Sequence, residues 1–322
     1  MVTISLCMIV KNEEERLGRC LSSLQGLCDE LLIADTGSTD RTKEVAESFG
    51  AKVFDFLWCD DFAAARNFIA EKATCDYIYT ADADEEIDEV NRKRFLDLKR
   101  VLDAQVDIVQ MTYVNVTGER TVYNTDRELR PKLYKRLRTF TWISPIHETL
   151  RTEPLVFDSD IEIIHRPTEG HAARDLSTFR KAIGNGLKPD ERLFLMYARE
   201  LYMAGTAQDL MLSKPYMETI ENNPEATEDM KKAAVIILAK AERAAGDIPE
   251  FLSNALYDVA CGGTAEICCE LGDYYESIGQ FENARAWFDI ASQGAYNILD
   301  ATCSGERAID GVRRTSLKLE NS

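Results

Sequence analysis

The sequence predicts an α/β domain built on a mixed, mainly parallel sheet, followed by an all-α domain of helical repeats. Three observations carry this. Short apolar, β-branched runs alternate with helix-length amphipathic segments through the first 170 residues, the pattern of βαβ units joined by right-handed crossovers. From Ala172 the chain reads as helix throughout, with Pro, Gly and Asn only at junctions. Ala265, Cys268, Leu271, Gly272, Tyr275, Gly279, Phe281, Ala284, Phe288 and Ala291 then recur at the spacing of a helix-turn-helix repeat.

The bulk numbers bound the rest. With 322 residues the chain exceeds one typical domain, and 45% hydrophobic content supplies a sizeable core. A formal charge of −18 argues against a nucleic-acid partner, whose affinity is built largely from Lys and Arg contacts to phosphate. A nucleotide ligand would need a metal bridge. Nine Cys without any Cys-x-x-Cys pair read as thiols of a reducing cytosol. The first apolar run, residues 2–10, is too short to span a membrane and lacks a basic leader. A cytoplasmic protein with no membrane span is expected.

Taken in order, residues 2–10 are a first strand, and Lys11-Asn12-Glu13 opens a helix to about Gln25 with Leu17, Cys20, Leu21 and Leu24 on one face. Residues 31–34 are a second strand ending at Asp35-Thr36-Gly37-Ser38-Thr39-Asp40. Gly37 permits a tight turn there, and Ser38 or Thr39 caps a helix to Phe49. A third strand at 51–54 leads through an acidic, aromatic loop into a helix that carries Arg66 and ends near Thr74. Tyr77-Ile78-Tyr79-Thr80-Ala81 is a buried strand that stops at Asp82-Ala83-Asp84-Glu85-Glu86. Asp88 caps a helix to about Ala104. Strands follow at 106–114, 129–137 and 161–165, and the polar stretch 116–127 is expected to be a flap over the site. The expected domains are therefore 1–170, a linker helix at 171–190, and roughly three repeats over 191–322. Residues 304–322 lack a clear apolar stripe until Leu317 and are expected to be partly disordered.

Ligands of open α/β sheets bind at the carboxyl ends of the strands. There the chain presents Asn12 and Glu13, then Asp35, then Asp82 and Asp84. Two Asp one residue apart at a strand end suit a hard divalent cation carrying a nucleotide diphosphate, Mg²⁺ or Mn²⁺, because these ions take oxygen ligands from one or two carboxylates and from phosphates. Acids also favour helix N-termini, and Asp88 and Glu89 are read that way. No dinucleotide-binding Gly-x-Gly-x-x-Gly and no P-loop occurs.

Several motifs together resemble family 2 glycosyltransferases of the GT-A fold: Met8-Ile9-Val10-Lys11-Asn12-Glu13, Asp35-Thr36-Gly37-Ser38-Thr39-Asp40, residues 62–67 and Asp82-Ala83-Asp84-Glu85, continuing in order through Trp142, His147-Glu148 and His165. The helical tail resembles tetratricopeptide repeats, and the combination is similar to bacterial peptide, flagellin and surface-glycan glycosyltransferases. The resemblance implies that Val10, Asn12 and Glu13 line a nucleoside pocket, with Asp35 accepting from uracil. It places Arg66 at the diphosphate, Asp82 by the ribose and sugar, and Asp84 and His165 on Mn²⁺ or Mg²⁺. It makes Glu148 the base of an inverting displacement, with Trp142 and His147 on the acceptor side. The implied reaction moves a sugar from a UDP-linked donor, UDP-GlcNAc or UDP-Glc, to a protein, peptide or glycan acceptor. The repeats would recruit that acceptor or pair two copies as a homodimer.

Two rivals stay open from the residues alone. A sugar-nucleotide pyrophosphorylase would need a Gly-rich, basic loop after the first strand, where this chain has Lys11-Asn12-Glu13-Glu14-Glu15. A non-catalytic repeat scaffold with a relic sheet domain would have no need of Asp82, Asp84 and Glu148.

Overall fold

The structure, a computed structural model, describes residues 1–116, 127–138, 142–143, 146, 149–166 and 171–320. These fall into two compact units, one formed by the described residues up to Arg166 and the other by those from His171.

The first unit is a sheet flanked by helices. Its strands are β1 (Ile4–Val10), β2 (Glu30–Asp35), β3 (Lys52–Asp55), β4 (Tyr77–Ala81), β5 (Glu85–Glu86), β6 (Ile108–Asn115), β7 (Arg127–Lys135) and β10 (Val156–His165), while β8 (Trp142–Ile143) and β9 (Thr149–Leu150) form a separate pair. The order across the eight-stranded sheet is β3-β2-β1-β4-β7-β6-β10-β5. β1, β2, β3 and β4 run parallel, as do β6 and β10, whereas β7 lies antiparallel between β4 and β6. β1 is central, and all of it except Ile9 is buried. That matches its near-continuous apolar sequence, as a strand covered on both faces requires.

The helices of this unit are α1 (Leu17–Leu24), α2 (Thr42–Ser48), α3 (Phe62–Ala70) and α4 (Glu89–Val101). α1 starts later than the sequence pattern suggests. Asn12 takes φ 55°, a left-handed conformation that Asn tolerates better than most residues but no right-handed helix contains. The residues around it are therefore a turn. α2 is not capped by Ser38 or Thr39; the Asp40 carboxylate accepts from the Thr42 N–H and hydroxyl instead, and Ser38 is committed to the Asn12 N–H. Asp61 and Asp88 cap α3 and α4 by accepting from the Ala64 and Asn91 N–H groups. β10 is longer than residues 161–165, because its first half pairs with β6 ahead of a register shift between Asp158 and Glu162.

The second unit is helical: α5 (His171–Gly184), α6 (Glu191–Ala204), α7 (Ala207–Glu221), α8 (Glu228–Ala245), α9 (Ile248–Ala260), α10 (Ala265–Ser277), α11 (Phe281–Ser292) and α12 (Glu306–Glu320). α7 and α9 pack on α8, and α11 packs on both α10 and α12. The expectation of partial disorder after Ser304 is wrong. α12 is a helix whose buried residues are Ala308, Gly311 and Thr315, small side chains that leave no apolar stripe to read. Small residues are what the contact demands: a Cβ on Gly272 would lie 2.7 Å from the Phe288 ring, and one on Gly311 would collide with that ring. Phe288, fully buried, fills the space between α10 and α12.

A charged cluster is buried in the same unit. Glu270 is fully buried and ion-paired to Lys240, Arg243 and Arg307. Arg307 also bonds Asp273 at 2.7 Å and the Tyr202 hydroxyl at 2.6 Å. Burial alone would raise the Glu270 carboxyl, but the three cations outweigh it and hold the group below its ordinary value.

Candidate active site

The carboxyl edge of β1, β2 and β4 gathers most of the polar groups singled out in the sequence. Two loops there brace each other. The Asn12 side-chain Oδ1 accepts from the Thr39 N–H at 2.8 Å, the Ser38 hydroxyl accepts from the Asn12 N–H at 2.9 Å, and the Thr42 hydroxyl accepts from the Glu13 N–H at 2.7 Å. Asn12 thus works as a strut between loops. Glu13 is ion-paired with Arg16 at 3.3 Å. Val10 is 3% exposed, its side chain in the core, and its carbonyl is used by Thr36.

Asp35 is 1% exposed. Its Oδ2 accepts from the Gly37 and Ser38 N–H groups at 3.1 and 3.0 Å, with Lys43 at 3.5 Å. Its Oδ1 is buried and has no hydrogen-bond partner among the described residues. A buried carboxylate oxygen left unpaired costs free energy, so this atom is suited to a ligand N–H.

On the β4 side, Arg66 from α3 bonds Asp82 at 2.9 Å. Burial pushes the Asp82 carboxyl up, and the charges of Arg66 and Lys132 outweigh that and leave it lowered. Pairing of β5 with β10 sets Glu85 opposite His165, which brings Asp84 to the same imidazole. His165 Nδ1 donates to Asn115 Oδ1 at 2.8 Å, and Nε2 faces Asp84 Oδ2 at 3.2 Å. With the proton on Nδ1, a lone pair and a carboxylate oxygen confront each other, an arrangement that asks for either a second proton or a cation between them. Asp84 Oδ1 is also buried and, among the described residues, without a hydrogen-bond partner. This donor set fits a divalent ion. The Nδ1 bond to Asn115 is the kind of support that orients a metal-binding His. Among the described residues no group of three His, Cys, Asp or Glu side chains is placed to hold a metal; a bound phosphate and water can supply further oxygen ligands.

Two residues that sequence reasoning missed lie directly beneath. Lys132 of β7 and Glu85, both buried, pair at 2.8 Å through both carboxylate oxygens. The pair anchors the turn that carries Asp82 and Asp84. Burial raises the Glu85 carboxyl against the pull of Lys132. Only the antiparallel insertion of β7 makes this contact, and no local spacing reports it. Asn115 was equally invisible, since its partner is 50 residues away. Of the remaining candidates, Trp142 is in β8, and His147 and Glu148 lie outside the described residues, as do residues 117–126 of the expected flap.

A mixed, mainly parallel sheet with an acidic turn at the end of its fourth strand is the architecture of a GT-A nucleotide-diphospho-sugar transferase domain. Residues 5–162 match the family model described as glycosyl transferase family 2, and the N-terminal half of this chain is a domain of that family. Among similar proteins, a TPR repeat-containing protein of Synechococcus elongatus is 52% identical over 87 residues, 27% of this chain and 22% of that protein. The SPbeta prophage-derived glycosyltransferase SunS of Bacillus subtilis is 33% identical over 131 residues, 40% of this chain and 31% of that protein. The chain thus spans less than a third of either relative's length. A solved glucosyl-3-phosphoglycerate synthase from Mycobacterium tuberculosis, in complex with Mn²⁺, UDP and glucosyl-3-phosphoglycerate, superposes with a TM-score of 0.41 at 16% identity over 59% of this chain and 82% of that one. Among the described residues no helix is long and apolar enough to cross a membrane.

Proposed function

We propose that this protein transfers a sugar from a nucleotide donor, UDP-GlcNAc or UDP-Glc, to a protein, peptide or glycan acceptor with inversion at the anomeric carbon. The observation that carries the reading is that two buried carboxylate oxygens on one sheet edge, Asp35 Oδ1 and Asp84 Oδ1, have no hydrogen-bond partner among the described residues.

In this reading Asp35 Oδ1 accepts from the uracil ring N–H, and the strut of Asn12 keeps the two nucleoside loops in register. Glu13 turns to the ribose, and Val10 contributes the apolar floor. Arg66 supplies a charge-assisted bond to the diphosphate while holding Asp82 ionised beside the ribose and sugar. Asp84 and His165 hold Mn²⁺ or Mg²⁺, which when bound neutralises the departing diphosphate. Glu148 removes the acceptor proton on the opposite face, with Trp142 and His147 beside the acceptor. The helical unit recruits the acceptor, since stacked helix pairs make extended binding surfaces, or joins two copies. A cytoplasmic location belongs to the same reading, supported by nine unbridged thiols.

The test is calorimetric titration of UDP and of GDP, with Mn²⁺ and again with EDTA, into wild type and Asp84→Ala. Metal-dependent UDP binding that the substitution abolishes is the expected result. Absence of binding by either nucleotide under both conditions refutes the donor site.

A further inference from the structure

Three adjacent strands set three side chains in a row along this edge. β7 contributes Arg130, β6 Tyr113 and β10 His165. The register pairs Met111 with Arg130 and Tyr113 with Ile163, so the Tyr113 ring stands between its two neighbours. The Arg130 guanidinium carbon lies 3.8 Å from the ring centre. The Tyr113 and His165 ring centres are 4.8 Å apart with planes tilted by 34°. Tyr113 is 2% exposed and acts as a fixed wall, while the Arg130 side chain is 41% exposed. A guanidinium stacked on an aromatic face keeps its planar fork of N–H donors free to point along that face. The row thus links Arg130, through one ring, to the imidazole that touches Asp84.

The charges of the site show why a further cation is useful there. Asp82 is paired with Arg66 and Glu85 with Lys132, and among the described residues Asp84 has only the imidazole of His165. A divalent ion at Asp84 would leave a surplus of one positive charge, less than the negative charge a nucleoside diphosphate brings. Arg66 approaches from α3, packed over β1 and β2. Arg130 comes from β7, on the other flank of β4. Its present partner is Glu128, two residues along the same strand. Such a solvent-accessible pair is weak and readily exchanged for phosphate.

We propose that Arg130 is a second guanidinium of the donor site, bonding diphosphate oxygens from the β7 flank while Arg66 acts from the other, with Tyr113 as its positioning residue. The inference rests on the donor-site reading above and specifies its phosphate contacts. The experiment titrates UDP and uridine, with Mn²⁺ present, into wild type, Arg130→Ala and Arg130→Lys. Arg130→Ala weakens UDP about tenfold, the loss of one charge-assisted contact, and leaves uridine unchanged. Arg130→Lys recovers part of that loss, because it keeps the charge but not the planar stack. UDP affinity of Arg130→Ala indistinguishable from wild type overturns the proposal, and so does an equal loss for uridine, which would assign Arg130 to the fold. If wild type binds neither ligand, it is the donor-site reading itself that falls.

Discussion

Asp84 in the first unit, its side chain 13% exposed, and Glu270 in the second, fully buried, are both carboxylates largely withdrawn from solvent, yet their surroundings are opposite. Glu270 is met by Lys240, Arg243 and Arg307. Among the described residues Asp84 has only the His165 imidazole beside it and no Lys or Arg. A buried charge that contributes to a fold brings its counter-ions with it, because breaking such a pair leaves an uncompensated charge. A carboxylate short of counter-ions leaves room for a cation. Sequence makes the two look alike; the company each keeps separates an acid neutralised within the fold from one that the proposed donor site would use.

The comparison can be broken by near-isosteric changes on each side. Asp84→Asn is expected to weaken Mn²⁺-dependent UDP binding by about a hundredfold or more with little change in melting temperature. Calorimetry and thermal unfolding on one sample check both halves. Glu270→Gln should do the reverse, costing about 3–5 kcal/mol of stability with UDP affinity retained. Its pH dependence sharpens the point. The folded-state carboxyl lies below its ordinary value of 4.5, so its contribution is fully present above that value and is lost as pH falls through the lower folded value. Denaturant unfolding of wild type and Glu270→Gln should therefore converge in acid; a gap that persists unchanged below pH 4.5 would contradict the assignment.

Smaller effects come from packing and capping. Gly311→Ala forces a methyl into the Phe288 ring and is expected to cost about 1–3 kcal/mol, read as a lowered urea midpoint. Asp61→Ala removes the N-cap of the helix that carries Arg66 and should cost about 1 kcal/mol. A measurable drop in UDP affinity would accompany it only if the cap also sets the Arg66 position.

The strands, their acidic ends and the helical tail were legible because each is a local pattern: apolar runs, a stop at carboxylates, small and aromatic residues at repeat spacing. Asp88 could be read as a cap for the same reason. What escaped depends on partners distant in sequence. The Glu85–Lys132 pair spans 47 residues and the His165–Asn115 bond 50, both created by strand order. The late start of α1 follows from loop bracing that fixes Asn12 at positive φ. α12 was hidden because an amphipathic stripe signals burial through large apolar residues, whereas this helix buries Ala308, Gly311 and Thr315.

Phe288 also has a consequence in time. A buried phenyl ring usually flips between equivalent orientations when neighbouring side chains yield a little. Here the obstacles are the backbones of α10 and α12 at Gly272 and Gly311, which no rotamer change can move aside. The ring is therefore expected to turn only when the helices part, and its flip rate, measured by NMR, should report the breathing of these helices, on the slower scale of collective motion rather than that of side chains.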